Sequence, residues 1–167
     1  ALPDEVKVSL ILELSDASGS RGMVAGQVLD MEGEHKQLTL AELQTIHANK
    51  TGRLLAYPFI AAGLILELQA DIGQLLEKIG KKLGLAFQVR DDILDLVADF
   101  EALGKTPQKD LVAEKSTYPA LLGLEESKAL LTSELDACED LLDQITVACD
   151  FDPRAIKKLI EGLRIDG

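Results

Sequence analysis

The chain has 167 residues and a formal net charge of −12, from 17 basic and 29 acidic residues. This length suits one domain with a sizeable core. The acidic balance argues against a general nucleic-acid binder, which needs a basic surface. Hydrophobic residues make up 47% of the chain and aromatic residues only 4%, which favours packed helices filled with aliphatic side chains over a β-sandwich.

The cysteines and the apolar segments exclude two further classes of protein. Cys138 and Cys149 are too few for a disulfide framework or a zinc site, and they predict reduced thiols in a cytoplasmic protein. The longest apolar stretch, Leu54 to Leu66, contains Pro58 and Gly63 and is shorter than the ~20 residues that span a bilayer. We therefore expect no membrane span.

Every predicted element is a helix. In chain order, the helices are predicted over residues 4–18, 23–31, 40–66, 71–99, 119–148 and 153–163. Thr39 with Glu42 forms a capping-box pattern before the third helix, which is predicted to kink near Pro58. Residues 100–117 are predicted to form a loop. We expect one all-α domain over residues 1–167, built as a bundle of long helices.

The most informative segment runs from Gly84 to Asp95. On a helical wheel, its polar side chains fall within an arc of about 100°; they are Gln88, Asp91, Asp92 and Asp95. The opposite side of the helix is apolar, through Ile79, Leu83, Ala86, Val89, Ile93, Leu96 and Val97. A narrow polar face bordered by apolar residues predicts an interior helix whose polar side lines a cavity.

Three carboxylates on one arc repel each other, by roughly 3 kcal/mol for two charges ~5 Å apart at an effective dielectric of 20. Water, a proton or a cation must offset that repulsion. Oxygen ligands at this spacing suit Mg²⁺, which often shares its coordination shell with water and substrate phosphates. Spacing alone does not define a site, because Glu139 to Asp143 has a similar pattern among other acids and is interpreted as solvated surface.

Three more segments of the sequence stand out, two before the aspartate face and one after it. They are Gly26-Gln27-Val28-Leu29-Asp30, Lys50-Thr51, and a later stretch with Gly104-Lys105, Asp110 and Lys115-Ser116-Thr117-Tyr118-Pro119. With Phe87 to Asp95, which is similar to a second aspartate-rich motif, they resemble the trans-isoprenyl diphosphate synthases. The last stretch is most similar to the bacterial farnesyl (geranyltrans-) diphosphate synthases. The resemblance extends over essentially the whole chain.

The resemblance implies an all-α bundle around a central cavity, of the isoprenoid synthase type. It implies a prenyltransferase that condenses an allylic diphosphate with isopentenyl diphosphate through Mg²⁺-assisted ionisation, acting as a homodimer. Under this resemblance Asp91 ligates Mg²⁺, with Asp92 and Asp95 in support. The implied substrate-binding residues are Lys50, Lys105 and Lys115 for the allylic diphosphate, Thr51 and Gln88 near the developing cation, Phe87 on the isopentenyl side, and Gln27 and Asp30 in the cavity wall.

The sequence also departs from the family pattern. No aspartate-rich segment precedes Gly26, and Lys109 stands where the family loop usually has glycine. Because the first aspartate-rich segment is missing, we expect the chain to correspond to the C-terminal part of a synthase and to be weakly active or inactive when it is alone.

Two alternatives remain open at this point. A non-catalytic helical subunit could partner a complete synthase, although such a subunit has no physical need for the aspartates and lysines. A terpene cyclase would share the cavity, but its later metal site is expected to mix Asn, Ser or Thr with Glu.

Overall fold

A computed structural model describes residues 1–103 and 116–165, and the side chains of residues 100–103 lie outside that description. Within these residues the regular structure is helical and includes no strand, which confirms the all-α prediction. The helices are α1 Asp4–Ser18, α2 Met23–Gly33, α3 Leu40–His47, α4 Arg53–Ile65, α5 Ala70–Leu103, α6 Tyr118–Leu122, α7 Leu124–Ala148 and α8 Arg154–Leu163.

The helix boundaries confirm some local predictions and correct others. The capping box is present, because Glu42 N donates to Thr39 Oγ1 and the Glu42 carboxylate accepts from Thr39 N. The predicted loop starts too early, since α5 continues to Leu103. The helix predicted from residue 119 to 148 is broken at Gly123, whose φ of 89° favours glycine and separates α6 from α7.

The helix predicted over residues 40–66 is interrupted as well. Ala48–Gly52 forms a π-helical turn between α3 and α4, whereas Pro58 lies inside α4. Single π-helical turns inside helices occur frequently at functional sites. This turn contains Lys50 and Thr51, which the sequence had already singled out.

Helix α5 is the centre of the bundle and packs mainly against α4 and α7. Ile79, Leu83 and Ile93 are 0%, 5% and 0% exposed, so the prediction that this helix is interior is confirmed. On the α7 side, Lys82 Nζ donates to Glu134 at 2.9 Å and links the two helices at that point. Among the described residues, no helix is both long and apolar enough to cross a membrane.

Candidate functional site

The site is built around the π-helical turn Ala48–Gly52, which is held between two glycines. A Cβ added at Gly84 of α5 would lie 2.9 Å from Gly52 Cα, and one added at Gly26 of α2 would collide with the backbone of Asn49 and Lys50. Carbon atoms make their best contact at about 3.5–4.0 Å. The two glycines therefore permit a backbone approach that larger residues would block, and this approach sets the position of Lys50 and Thr51.

Two polar pairs extend from this turn to the neighbouring helices. Lys50 Nζ donates to the carboxylate of Asp30 on α2 at 2.6 Å, and both side chains are partly exposed. Thr51 Oγ1 donates to Gln88 Oε1 on α5 at 3.1 Å. Four predicted site residues are thus brought together around one turn of backbone, although they come from three separate segments of the sequence.

The predicted aspartate face lies on the same side of α5 as two glycines. Gly80, Gly84, Gln88, Asp91 and Asp95 follow one another at steps of three or four residues, which places them on one side of the helix. The glycine half of this side packs closely against α4 and the π-helical turn. Asp91 and Asp95 are exposed, so the face opens to solvent beyond Gln88.

Asp92 differs from the other two aspartates because it is half-buried and already bonded. Its Oδ2 accepts a hydrogen bond from the backbone N–H of Tyr118 at 2.9 Å. The pKa of Asp92 is raised to about 6, chiefly by burial; the hydrogen bond from Tyr118 opposes this rise, and the nearby carboxylates of Asp91 and Asp95 add to it. Asp92 therefore ties α5 to the start of α6 as well as contributing to the acidic face.

His47 borders the same region, one turn before Lys50. The centroids of the His47 and Tyr118 rings are 5.5 Å apart. Burial lowers the pKa of His47, and the charge of Lys50 lowers it too, whereas the carboxylates of Asp30 and Asp91 raise it by less than burial lowers it. The imidazole is therefore neutral at pH 7, and it lies within electrostatic range of both the Lys50–Asp30 pair and the aspartate face.

A cleft of about 290 Å³ opens beside His47, between the end of α2 and the segment that leads into α6. The cleft lining includes Asp30, Leu43, His47, Ser116 and Thr117. Ser116 Oγ accepts from Leu38 N at 3.2 Å, which attaches the segment before α6 to the loop after α2. The cleft therefore adjoins the polar groups of the π-helical turn.

The carboxylates of the acidic face suit a shared Mg²⁺ site better than a site built from protein ligands alone. Among the described residues, no three His, Cys, Asp or Glu side chains converge closely enough to hold a metal by themselves. Mg²⁺ is commonly held by one or two carboxylates, with waters and substrate phosphates completing its shell. The exposed carboxylates of Asp91 and Asp95 fit that arrangement, in which a phosphate ligand completes the site.

The protein family of this chain follows from its similarity to known proteins. A family model described as "Polyprenyl synthetase" matches residues 6–147. The chain belongs to the polyprenyl synthetase family. Among curated proteins, farnesyl diphosphate synthase of Micrococcus luteus is 53% identical over 83% of this chain and 47% of its own length. Farnesyl diphosphate synthase of Geobacillus stearothermophilus is 46% identical over 83% of this chain and 46% of its own length.

Solved structures agree with the family assignment. A geranyltransferase from Helicobacter pylori superposes with a TM-score of 0.81 at 28% identity, over 97% of this chain and 51% of its own. The same enzyme complexed with magnesium and isoprenyl diphosphate gives 0.71 at 33% identity, over 86% and 47%. The fold is therefore the all-helical fold of the isoprenoid synthases. This polyprenyl synthetase chain spans about half the length of the relatives it matches.

Of the remaining predicted site residues, two are exposed and two lie outside the described residues. Gln27 and Phe87 are exposed. Lys105 and Lys115 lie outside the described residues. In the look-alike acidic run, Asp140 is exposed and Asp143 pairs with Lys157 at 3.1 Å.

Sequence reasoning missed the glycine contacts and did not identify His47 as a neighbour of the site. The four-residue step from Gly80 to Gly84 carried a usable signal, since glycines at that spacing on a helix allow another backbone to approach closely. The contact between His47 and Tyr118 joins residues 71 positions apart, and no local pattern predicts it.

Proposed function

We propose that this chain forms the metal-binding and allylic-diphosphate-binding part of a prenyltransferase that condenses an allylic diphosphate with isopentenyl diphosphate, as in farnesyl or geranyl diphosphate synthesis. Family membership and relatives named farnesyl diphosphate synthase support this proposal. The observation that carries it is the convergence of Lys50, Thr51 and Gln88 beside the aspartate face of α5.

Lys50 would hold the allylic diphosphate as a point charge. An ammonium group has three donors, and one of them is directed to Asp30. The other two can reach phosphate oxygens, while Asp30 keeps the side chain oriented. Lys105 and Lys115 are proposed to add charge on the same diphosphate.

Thr51 and Gln88 would orient the reacting end of the allylic chain. Their mutual hydrogen bond fixes both side chains, so that their oxygens are held near the carbon where positive charge develops. Phe87 follows on the isopentenyl side, and Gln27 with Asp30 completes the wall on the side of α2. Apolar walls exclude water, which would otherwise quench the cation.

Asp91, Asp92 and Asp95 would hold Mg²⁺ together with diphosphate oxygens. When bound, the metal would neutralise charge on the departing diphosphate. Asp92 would contribute chiefly by keeping the start of α6 against α5, since its carboxylate already accepts from Tyr118 N. We propose a homodimer as the assembled form, as the family resemblance implies.

The test is calorimetric titration of the chain with geranyl diphosphate, with Mg²⁺ and with EDTA in its place. Binding should require Mg²⁺. Lys50→Ala should weaken it on the order of tenfold, because hydrogen bonds to charged groups contribute about 1.5–3 kcal/mol. Lys78→Ala is the matched control, since Lys78 is an exposed lysine of α5.

Binding that ignores Mg²⁺, or equal losses in the two lysine variants, would contradict the proposal. Incorporation of isopentenyl diphosphate into a longer allylic product is then measured with the same samples. Little or no incorporation by the chain alone is expected, because it spans about half the length of its relatives, and a rate typical of a complete synthase would contradict that expectation.

A further inference from the structure

The chain has two histidines, His35 and His47, and both line the cleft of about 290 Å³ beside the π-helical turn. Their environments differ, because His35 is exposed whereas His47 is partly buried. The imidazole of His47 packs against the ring of Tyr118, and Tyr118 is itself 0% exposed. A buried aromatic wall therefore restricts the imidazole of His47 at the edge of the cleft.

The two ring nitrogens of His47 are not equivalent. Nδ1 is buried and has no hydrogen-bond partner among the described residues. A neutral imidazole carries its proton on one of the two nitrogens, and an N–H group that is buried without an acceptor is costly. The proton is therefore favoured on Nε2. Because the ring lines the cleft, the Nε2–H group is the donor that His47 can present to a ligand there.

His47 lies within electrostatic range of the groups that are proposed to hold the diphosphate and its metal. The charges of Asp30, Lys50 and Asp91 all act on its imidazole. Lys50 is the proposed diphosphate ligand, and Asp91 is a proposed ligand of Mg²⁺. A neutral N–H donor can bond a phosphate oxygen beside them without adding a positive charge that would repel the metal.

We propose that His47 is a further substrate-binding residue of this site, whose Nε2–H donates a hydrogen bond to an oxygen of the allylic diphosphate. The inference rests on the proposed function, since it assigns a new residue to the same substrate. Lys50 attracts the diphosphate as a point charge, whereas the imidazole, held by Tyr118, donates in one direction and helps to orient it. The bond also supplies an acceptor for the only N–H of the ring.

The experiment follows the histidine side chains by ¹H–¹⁵N NMR while inorganic diphosphate and Mg²⁺ are added to the chain. Because the chain has two histidines, the variant His35→Phe is enough to assign both sets of signals. Before the addition, His47 should show the tautomer protonated at Nε2. Diphosphate with Mg²⁺ should then shift the Nε2 signal of His47 more than any signal of His35.

Calorimetry of the same binding event compares three variants. His47→Phe keeps a ring against Tyr118 but removes the donor, so it should weaken Mg²⁺-dependent diphosphate binding on the order of tenfold, as expected for the loss of one hydrogen bond to a charged group. His47→Gln should retain more binding, because its amide can donate from a similar position. His35→Phe is the matched control, since it removes the exposed imidazole of the cleft and should leave binding unchanged.

Thermal melts establish that each variant is folded, and His47→Leu replaces His47→Phe if the latter is not. Diphosphate binding that leaves the Nε2 signal of the wild-type chain unchanged would overturn this inference and leave the proposed function standing. Equal losses for His47→Phe and His35→Phe would overturn it in the same way. Failure of the wild-type chain to bind diphosphate with Mg²⁺ would instead contradict the proposed function, and the inference with it.

Discussion

Because Gly84 lies against the π-helical turn, replacing glycine by alanine is predicted to have opposite effects on stability at two positions of α5. A methyl group at Gly84 would lie 2.9 Å from Gly52 Cα, whereas at Gly73 no atom beyond its local backbone lies within 4 Å among the described residues. Gly73→Ala should therefore stabilise the chain. Gly84→Ala should force the turn away from α5 and should destabilise the chain relative to Gly73→Ala.

The magnitudes follow from two known effects. Alanine is favoured over glycine in a helix interior by about 1 kcal/mol, and overpacking a close contact costs about 1–3 kcal/mol. Gly73→Ala should raise the free energy of unfolding by about 1 kcal/mol. Gly84→Ala should lower it by up to about 2 kcal/mol. Gly26→Ala should be at least as destabilising, because its methyl would meet backbone atoms of both Asn49 and Lys50.

The assay is urea and thermal unfolding of the three variants, followed by circular dichroism. For a chain of this size, 1 kcal/mol corresponds to a Tm change of about 2–4 °C. The melting temperature of Gly73→Ala should therefore exceed that of Gly84→Ala by several degrees. Equal stabilisation by the two substitutions would show that Gly84 does not hold the π-helical turn, and the argument for how Lys50 and Thr51 are positioned would fail.

Three further outcomes are expected from the contacts around the site. Burial raises the pKa of Asp92 to about 6, so the folded chain holds the carboxyl proton of Asp92 more tightly than the unfolded chain does. The free energy of unfolding should therefore fall as the pH rises from about 4 to about 6. Asp92→Asn should remove this pH dependence in urea titrations at several pH values. Thr51→Val should lower the free energy of unfolding by about 1 kcal/mol, and a double-mutant cycle with Gln88→Ala should assign the loss to their hydrogen bond. Tyr118→Phe should leave stability unchanged or raise it by about 1 kcal/mol in thermal melts, because the buried hydroxyl of Tyr118 has no partner among the described residues; a clear loss would reveal a bond that the structure does not contain.

The fold was predictable from the sequence where a local pattern, such as the period of apolar residues, determines which side of a helix is buried. The period of apolar residues in α5 predicted its interior position, and the Thr39–Glu42 capping box predicted the start of α3. The break at Gly123 was missed because glycine within a helical pattern is ambiguous until its φ is known. The π-helical turn was missed for a different reason, since Asn49, Thr51 and Gly52 are weak helix formers but do not distinguish a π-helical turn from an α-helix.

The candidate site was predictable only in part. Asp91, Asp92 and Asp95 share one face because helical geometry fixes it, and the motif order brought Lys50 and Thr51 into the argument. The separate environments of the aspartates could not be predicted, because Asp92 accepts a hydrogen bond from the backbone N–H of Tyr118, which is 26 residues away. Long-range contacts of this kind come from packing and not from spacing.

The most direct test of the central claim compares Asp91→Ala with Asp140→Ala in the Mg²⁺-dependent binding of inorganic diphosphate to the chain, measured by calorimetry. Both variants lose one negative charge from an exposed position on a helix. Asp91→Ala should weaken binding on the order of 10–100-fold, the scale of effects seen when the residues around a metal site are altered, and Asp140→Ala should leave it unchanged. Equal effects of the two substitutions would contradict the account, because they would show that the aspartate face of α5 is ordinary acidic surface.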